Sequence, residues 1–136
     1  MFYFSMKTLF SFLTLHPKRA LALSVLWTTL ILVACFLPGK DLPEVDVVDF
    51  DKLVHVALFS GCAFLWAVAF IRHSGKTWRK LFWVFIATIA LGILVELIQG
   101  SDLVRGRSAD IFDVFADAVG ACLGSFSARY VLPKRP

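Results

Sequence analysis

Along the chain, long apolar runs alternate with short charged segments. The first run, Ala20 to Leu37, has 18 residues and no charge, with Pro17-Lys18-Arg19 before it and Pro38-Gly39 after it. About 20 apolar residues cross a hydrocarbon core, so this run predicts a spanning helix. Three further runs follow, at about Leu53–Ile71, Leu81–Gln99 and Asp110–Leu132. Gly100 is placed to end the third. Ser108 is a candidate cap for the fourth, and Pro133 lies beyond its end. Residues 1–16 are Phe-rich but broken by Ser5, Lys7, Ser11 and Thr14. That stretch is too short and too polar to span, so residues 1–19 are read as an interfacial or cytoplasmic segment. A start at Met6 would remove the first five residues. The expected fold is an all-α membrane protein. It is a compact bundle of four transmembrane helices, one domain over residues 1–136, with a short N-terminal interfacial segment.

Two details test this reading. The first run could be a signal peptide, and Leu32-Val33-Ala34-Cys35 fits a bacterial lipobox. The apolar Phe36-Leu37 after the cysteine and the later spans favour a helix that stays. Residues 38–52 carry Asp41, Glu44, Asp46, Asp49 and Asp51 among Val45, Val47, Val48 and Phe50. They read as an acidic loop at the interface, with Asp49 or Asp51 a candidate cap for the second span.

Composition strengthens the membrane assignment. Hydrophobic residues make up 59% of the 136, and only 18% are charged. Soluble domains carry about a quarter charged residues. The net charge of +4 comes from basic residues at the ends of apolar runs, which suits a membrane surface and not nucleic acid. Cys35, Cys62 and Cys122 lie in apolar runs with no metal-ligand spacing, so they read as small hydrophobes. Gly75-Lys76-Thr77 lacks the upstream glycine and strand of a phosphate loop.

Charge also sets the expected orientation. Lys7, Lys18, Arg19, Arg72, Lys76, Arg79, Lys80, Arg129, Lys134 and Arg135 fall on one side, against Lys40, Lys52, Arg105 and Arg107 on the other. Ten against four places both termini in the cytoplasm, with the chain a multi-pass protein of the inner (plasma) membrane. All ten acidic residues then lie at the outer face or in the helix turns nearest to it.

Ionisable groups inside a span need a reason. Asp51 and His55 share a face of the second helix at i, i+4. Glu96 and Gln99 lie at i, i+3 on the third, with Thr88 and Gly92 continuing that stripe inward. On the fourth helix Asp110, Asp113 and Asp117 follow helical spacing, with Gly120 and Gly124 on the same side. Arg105 and Arg107 occupy the loop between the third and fourth helices. Gly120-xxx-Gly124, with Ala116 and Ala128, permits close helix approach and turns Asp113 and Asp117 into the bundle. Blander readings stand beside this. Asp51 and Asp110 suit caps or dipole partners, and Asp117 suits a packing hydrogen bond.

At these residues the sequence resembles the VanZ-like family of bacterial membrane proteins. Asp51-Lys52-xx-His55, Glu96-xx-Gln99, Gly106-Arg107-Ser108 and Asp113-xxx-Asp117-xx-Gly120-xxx-Gly124 carry the resemblance, over residues 50–125. Family members often carry Asn where this chain has Asp117. The resemblance implies a cell-envelope protein related to one associated with teicoplanin resistance, and it supplies no reaction.

Three functions are compatible with the cluster. The leading expectation is recognition or remodelling of an anionic envelope ligand, such as a lipid-linked head group. Arg105 and Arg107 would hold phosphate. Gln99, Asp51 and Asp117 would complete the ligand contacts. His55 would be general acid or base, with Glu96 and Asp113 positioning it. His and carboxylates suit a divalent ion, yet no motif demands a metal and no cofactor is specified. The alternative is a non-enzymatic, membrane-organising or partner-binding protein with a structural polar network. Ion or proton movement ranks last, since four spans are few for a transporter. The oligomeric state is not encoded in any pattern here.

Overall fold

A computed structural model describes residues 17–37, 50–71, 77–101, 103, 104 and 106–131. Within them the chain forms four helices and no strand: α1 (Pro17–Phe36), α2 (Phe50–Phe70), α3 (Thr77–Gln99) and α4 (Ile111–Val131). All four are long and apolar enough to cross a membrane. At about 1.5 Å per residue, each reaches about 30 Å, the thickness of a hydrocarbon core. Residues 1–16 of the expected interfacial segment, and Asp41, Glu44, Asp46 and Asp49 of the acidic loop, lie outside the described residues.

The first three helices start earlier than the apolar runs do. Residues 17–19, expected in the interfacial segment, form the first turn of α1, where Pro17 loses nothing by lacking an N–H. Helix α2 begins at Phe50, so Asp51 sits inside its first turn instead of capping it. There the carboxylate faces the positive end of the helix dipole. Helix α3 begins at Thr77 and includes Arg79 and Lys80. Lys80 reaches back 3.1 Å to the Phe70 carbonyl and closes the end of α2. Helix α4 is capped by Asp110 and not by Ser108. Asp110 Oδ1 accepts the Phe112 N–H at 2.8 Å, as an N-cap side chain does.

The chain is inside out relative to a soluble domain. Ser24, His55, Thr88, Glu96, Gln99, Asp113, Asp117 and Ser125 are buried, while Leu26, Phe82, Leu97, Phe115 and Phe126 are exposed. Water would reverse that arrangement, whereas lipid accepts it.

Helix α2 is central and touches the other three; its contact with α4 is the most extensive in the molecule. Small residues make this possible. A Cβ on Gly120 would lie 2.5 Å from the Val56 carbonyl oxygen, and one on Gly124 would overlap the Ser60 carbonyl oxygen. The two backbones therefore touch, with Ala63, Ala67, Ala121 and Ala128 fully buried nearby. Helix α1 attaches through polar ties. Trp27 Nε1 donates to the Leu58 carbonyl at 2.8 Å, and Trp66 Nε1 donates to Thr28 Oγ1 at 3.0 Å.

Candidate functional site

The C-termini of α1 and α3 and the N-termini of α2 and α4 meet at one end of the bundle. Four polar side chains converge there from three helices: His55 of α2, Glu96 of α3, and Asp113 and Asp117 of α4. All four are buried.

His55 is held from two sides. Its ring stacks on Phe59, one turn along α2, with centroids 6.1 Å apart and planes 3° from parallel. Its Nδ1 lies 2.9 Å from Asp117 Oδ1. An ionised carboxylate can only accept, so the Nδ1–H donates and Nε2 becomes the open nitrogen. Nε2 faces Asp113 Oδ2 at 3.8 Å, too far for a hydrogen bond. Asp117 is fully buried. Space for it comes from Gly92 of α3, where any Cβ would overlap Asp117 Oδ2.

Glu96 joins α3 to the start of α4. Its Oε2 accepts the Asp110 N–H at 2.8 Å, satisfying a donor at the helix start. Its other oxygen, Oε1, is buried without a hydrogen-bond partner, as are Asp113 Oδ1 and Asp117 Oδ2. At the rim, Lys52 Nζ lies 3.5 Å from Asp51 and Asp110 and 4.0 Å from Asp113. Among the described residues, five carboxylates thus gather around one lysine and one histidine.

Two hollows lie at this end of the bundle. One, of about 670 Å³, runs between α3 and α4, with Ile93, Leu97, Ile111 and Val114 beside Glu96 and Asp110. The other, of about 420 Å³, is lined by Gly100, Ser101, Val104, Gly106, Arg107, Ser108 and Ala109. Gly106 has φ +73°, a conformation a side chain would disfavour.

Of the residues singled out in the sequence, His55, Glu96, Asp113 and Asp117 come together, with Asp51 exposed at the rim. Arg107 and Gln99 do not join them. Arg107 Nη2 donates to the Ala34 carbonyl at 3.3 Å, and its Nε points to Leu37 O. Gln99 Nε2 donates to the Cys35 carbonyl at 2.7 Å. Both satisfy carbonyls that the end of α1 leaves open. Arg105 lies outside the described residues. Lys52 was not among the candidates, although its place three residues before His55 puts both on neighbouring parts of one helix face. Gln99→Leu should remove one buried hydrogen bond and destabilise the fold by about 1 kcal/mol. Equilibrium unfolding in mixed micelles would measure it; an unchanged midpoint would mean that the tie carries no weight.

No curated protein and no solved structure matches the chain. The model of the VanZ/LLP1 family does, over residues 2–132. With nearly the whole sequence matched, and four membrane-length helices beneath it, the chain is a multi-pass membrane protein that belongs to the VanZ/LLP1 family.

Proposed function

We propose that the protein recognises, and remodels, an anionic lipid-linked head group at the outer face of the bacterial inner membrane. One observation carries this reading: Glu96 links the polar cluster to the hollow between α3 and α4, whose other walls are mostly apolar. Glu96 and Asp110 share that hollow with Ile93, Leu97, Ile111 and Val114. A molecule with an apolar chain and a charged head fits such a groove, since each part meets its own kind of surface.

His55 is the proton carrier in this reading. As water attacks phosphorus, Nε2 takes the water's proton while the bond from phosphorus to the leaving oxygen breaks. Asp117 holds the ring in the tautomer that leaves Nε2 free. Arg107 remains near the loop hollow, where guanidinium N–H groups not used on α1 are available to phosphate oxygens. The orientation with both termini in the cytoplasm belongs to the same proposal, as does a contribution to teicoplanin tolerance.

The test uses the full chain in proteoliposomes with a polyprenyl diphosphate. Wild type should release phosphate. His55→Ala, folded by circular dichroism, should be slower by about 100-fold or more, the usual worth of a general base. Glu96→Gln should weaken retention of the lipid. Equal retention and release by wild type and both folded variants would sink the proposal. The second reading, a structural network in a partner-binding protein, has one observation in its favour: Asp117 is fully buried and fits against Gly92. It predicts variants that melt early and differ in nothing else.

A further inference from the structure

Among the described residues the cluster has more carboxylates than cations, and an anionic head group would add to the negative charge. We propose that His55, Glu96 and Asp113 hold a divalent transition cation of the zinc or manganese type. This rests on the reading above for its ligand alone, lipid phosphate: with Nε2 on the ion, His55 is a ligand, and the ion in place of Nε2 would serve the attacking water.

The geometry fits an ion shared by three helices. One ligand atom from each of the three residues lies within 4.8 Å of the others. Around an ion with bonds of about 2.1 Å, tetrahedral ligands stand about 3.4 Å apart. His55 Nε2 and Asp113 Oδ2, at 3.8 Å, are too far apart to bond each other and close to that span.

Two independent observations point to a ligand. Glu96 is 4% exposed, and its buried Oε1 has no hydrogen bond, whereas Asp113 turns Oδ2 to His55 Nε2 and Oδ1 to Lys52 Nζ at 4.0 Å. Buried carboxylate oxygens are normally satisfied. His55 is also prepared as a metal ligand is: its far nitrogen is tied to a carboxylate, Asp117, at 2.9 Å. That contact fixes tautomer and ring orientation and raises the basicity of Nε2.

Charge and ligand type narrow the ion. The carboxylates of Glu96 and Asp113 match the charge of a divalent cation, which would remove most of the negative charge buried in the cluster. A nitrogen ligand beside two oxygens favours zinc or manganese over calcium or magnesium. Three protein ligands leave positions open for water or a phosphate oxygen. A second acidic group, Asp51, Asp110 and Asp113, also lies within 4.8 Å. Lys52 Nζ, 3.5 Å from both Asp51 and Asp110, already supplies positive charge there. The ion belongs to the deeper set.

The experiment uses the full chain in lipid nanodiscs, stripped with EDTA, equilibrated with zinc or manganese chloride, washed and counted for metal. Wild type should retain about one ion per chain. Its melting temperature should rise with the ion to a plateau. His55→Ala, Glu96→Gln and Asp113→Asn should each weaken binding tenfold or more, and Asp51→Asn should bind as wild type does. The wild-type count needs no variant to fold: if neither ion is retained, the proposal is overturned. It is also overturned if folded Glu96→Gln and Asp113→Asn both bind like wild type. Polyprenyl phosphate added to the same samples separates the two ideas. An ion held without any lipid phosphate bound leaves the metal site standing and removes the reading of its ligand. Lipid phosphate bound with no ion retained does the reverse.

Discussion

Gly124→Ala is expected to destabilise the bundle by about 1–3 kcal/mol, the range for forcing atoms into a filled interface. The added Cβ would overlap the Ser60 carbonyl oxygen, and it would stand 3.0 Å from Phe64 N. Both are backbone atoms of α2, so no rotamer change relieves the clash. The helices must separate, and α2–α4 is the largest contact in the molecule. In lipid the loss is not offset by hydrophobic effect, because tails are as apolar as the side chains they would replace. Cys122→Leu on the same helix is the control. Cys122 is exposed, so its substitution should stay within about 0.5 kcal/mol. Unfolding titrations in mixed micelles, followed by tryptophan fluorescence, compare the two. Equal midpoints for Gly124→Ala and Cys122→Leu would show that the helices do not touch here. Gly120→Ala adds a link to the site. Its Cβ would meet the Val56 carbonyl, next to His55, at 2.5 Å, so the shift should also loosen the His55–Asp117 contact.

The four spans were legible because lipid imposes a simple rule: every residue in the core region is either apolar or in need of a reason. The same rule exposed His55, Glu96, Asp113 and Asp117, which break apolar runs at helical spacing. Helix starts were not legible, because hydropathy marks where lipid ends and not where backbone hydrogen bonding ends. Helix α3 therefore includes Thr77–Lys80, and α2 includes Asp51 and Lys52. Pattern offers both Ser108 and Asp110 as caps of α4, since both can accept a helix N–H, and local geometry chooses Asp110.

Arg107 and Gln99 show where pattern runs out. In sequence, a cation near several carboxylates suggests an ion pair, and a Gln near a Glu suggests a shared site. Their actual partners are carbonyls of Ala34 and Cys35, more than sixty residues away. Open carbonyls exist at every helix end, so no local signal says which side chain will answer them. The close approach of α1 to the α3–α4 connection decides it.

Asp117→Asn and Asp117→Ala should part company sharply. Asp117 Oδ1 accepts from His55 Nδ1, and Oδ2 has no hydrogen-bond partner beside Gly92. Alanine removes the acceptor, leaves the imidazole N–H buried and opens space next to Gly92. Leaving that buried N–H unsatisfied costs about 1–3 kcal/mol, with the space opened beside Gly92 adding to it. Asparagine keeps an oxygen to accept the same N–H. Its NH₂ group takes the place of an unpaired carboxylate oxygen, so a buried charge disappears at nearly constant shape. Asp117→Asn should therefore melt at or above the wild-type temperature. The His55 nitrogen facing Asp113 nevertheless becomes a weaker base once its partner is neutral. Zinc or manganese affinity should fall about tenfold, as it does when the outer partner of a metal-bound histidine is weakened. Stability and ion binding then separate in one variant: the fold intact, the ion held loosely. Should Asp117→Asn prove as unstable as Asp117→Ala, the carboxylate charge itself would be what holds α2 to α4 at this level, and the hydrogen-bond account of the pair would fall.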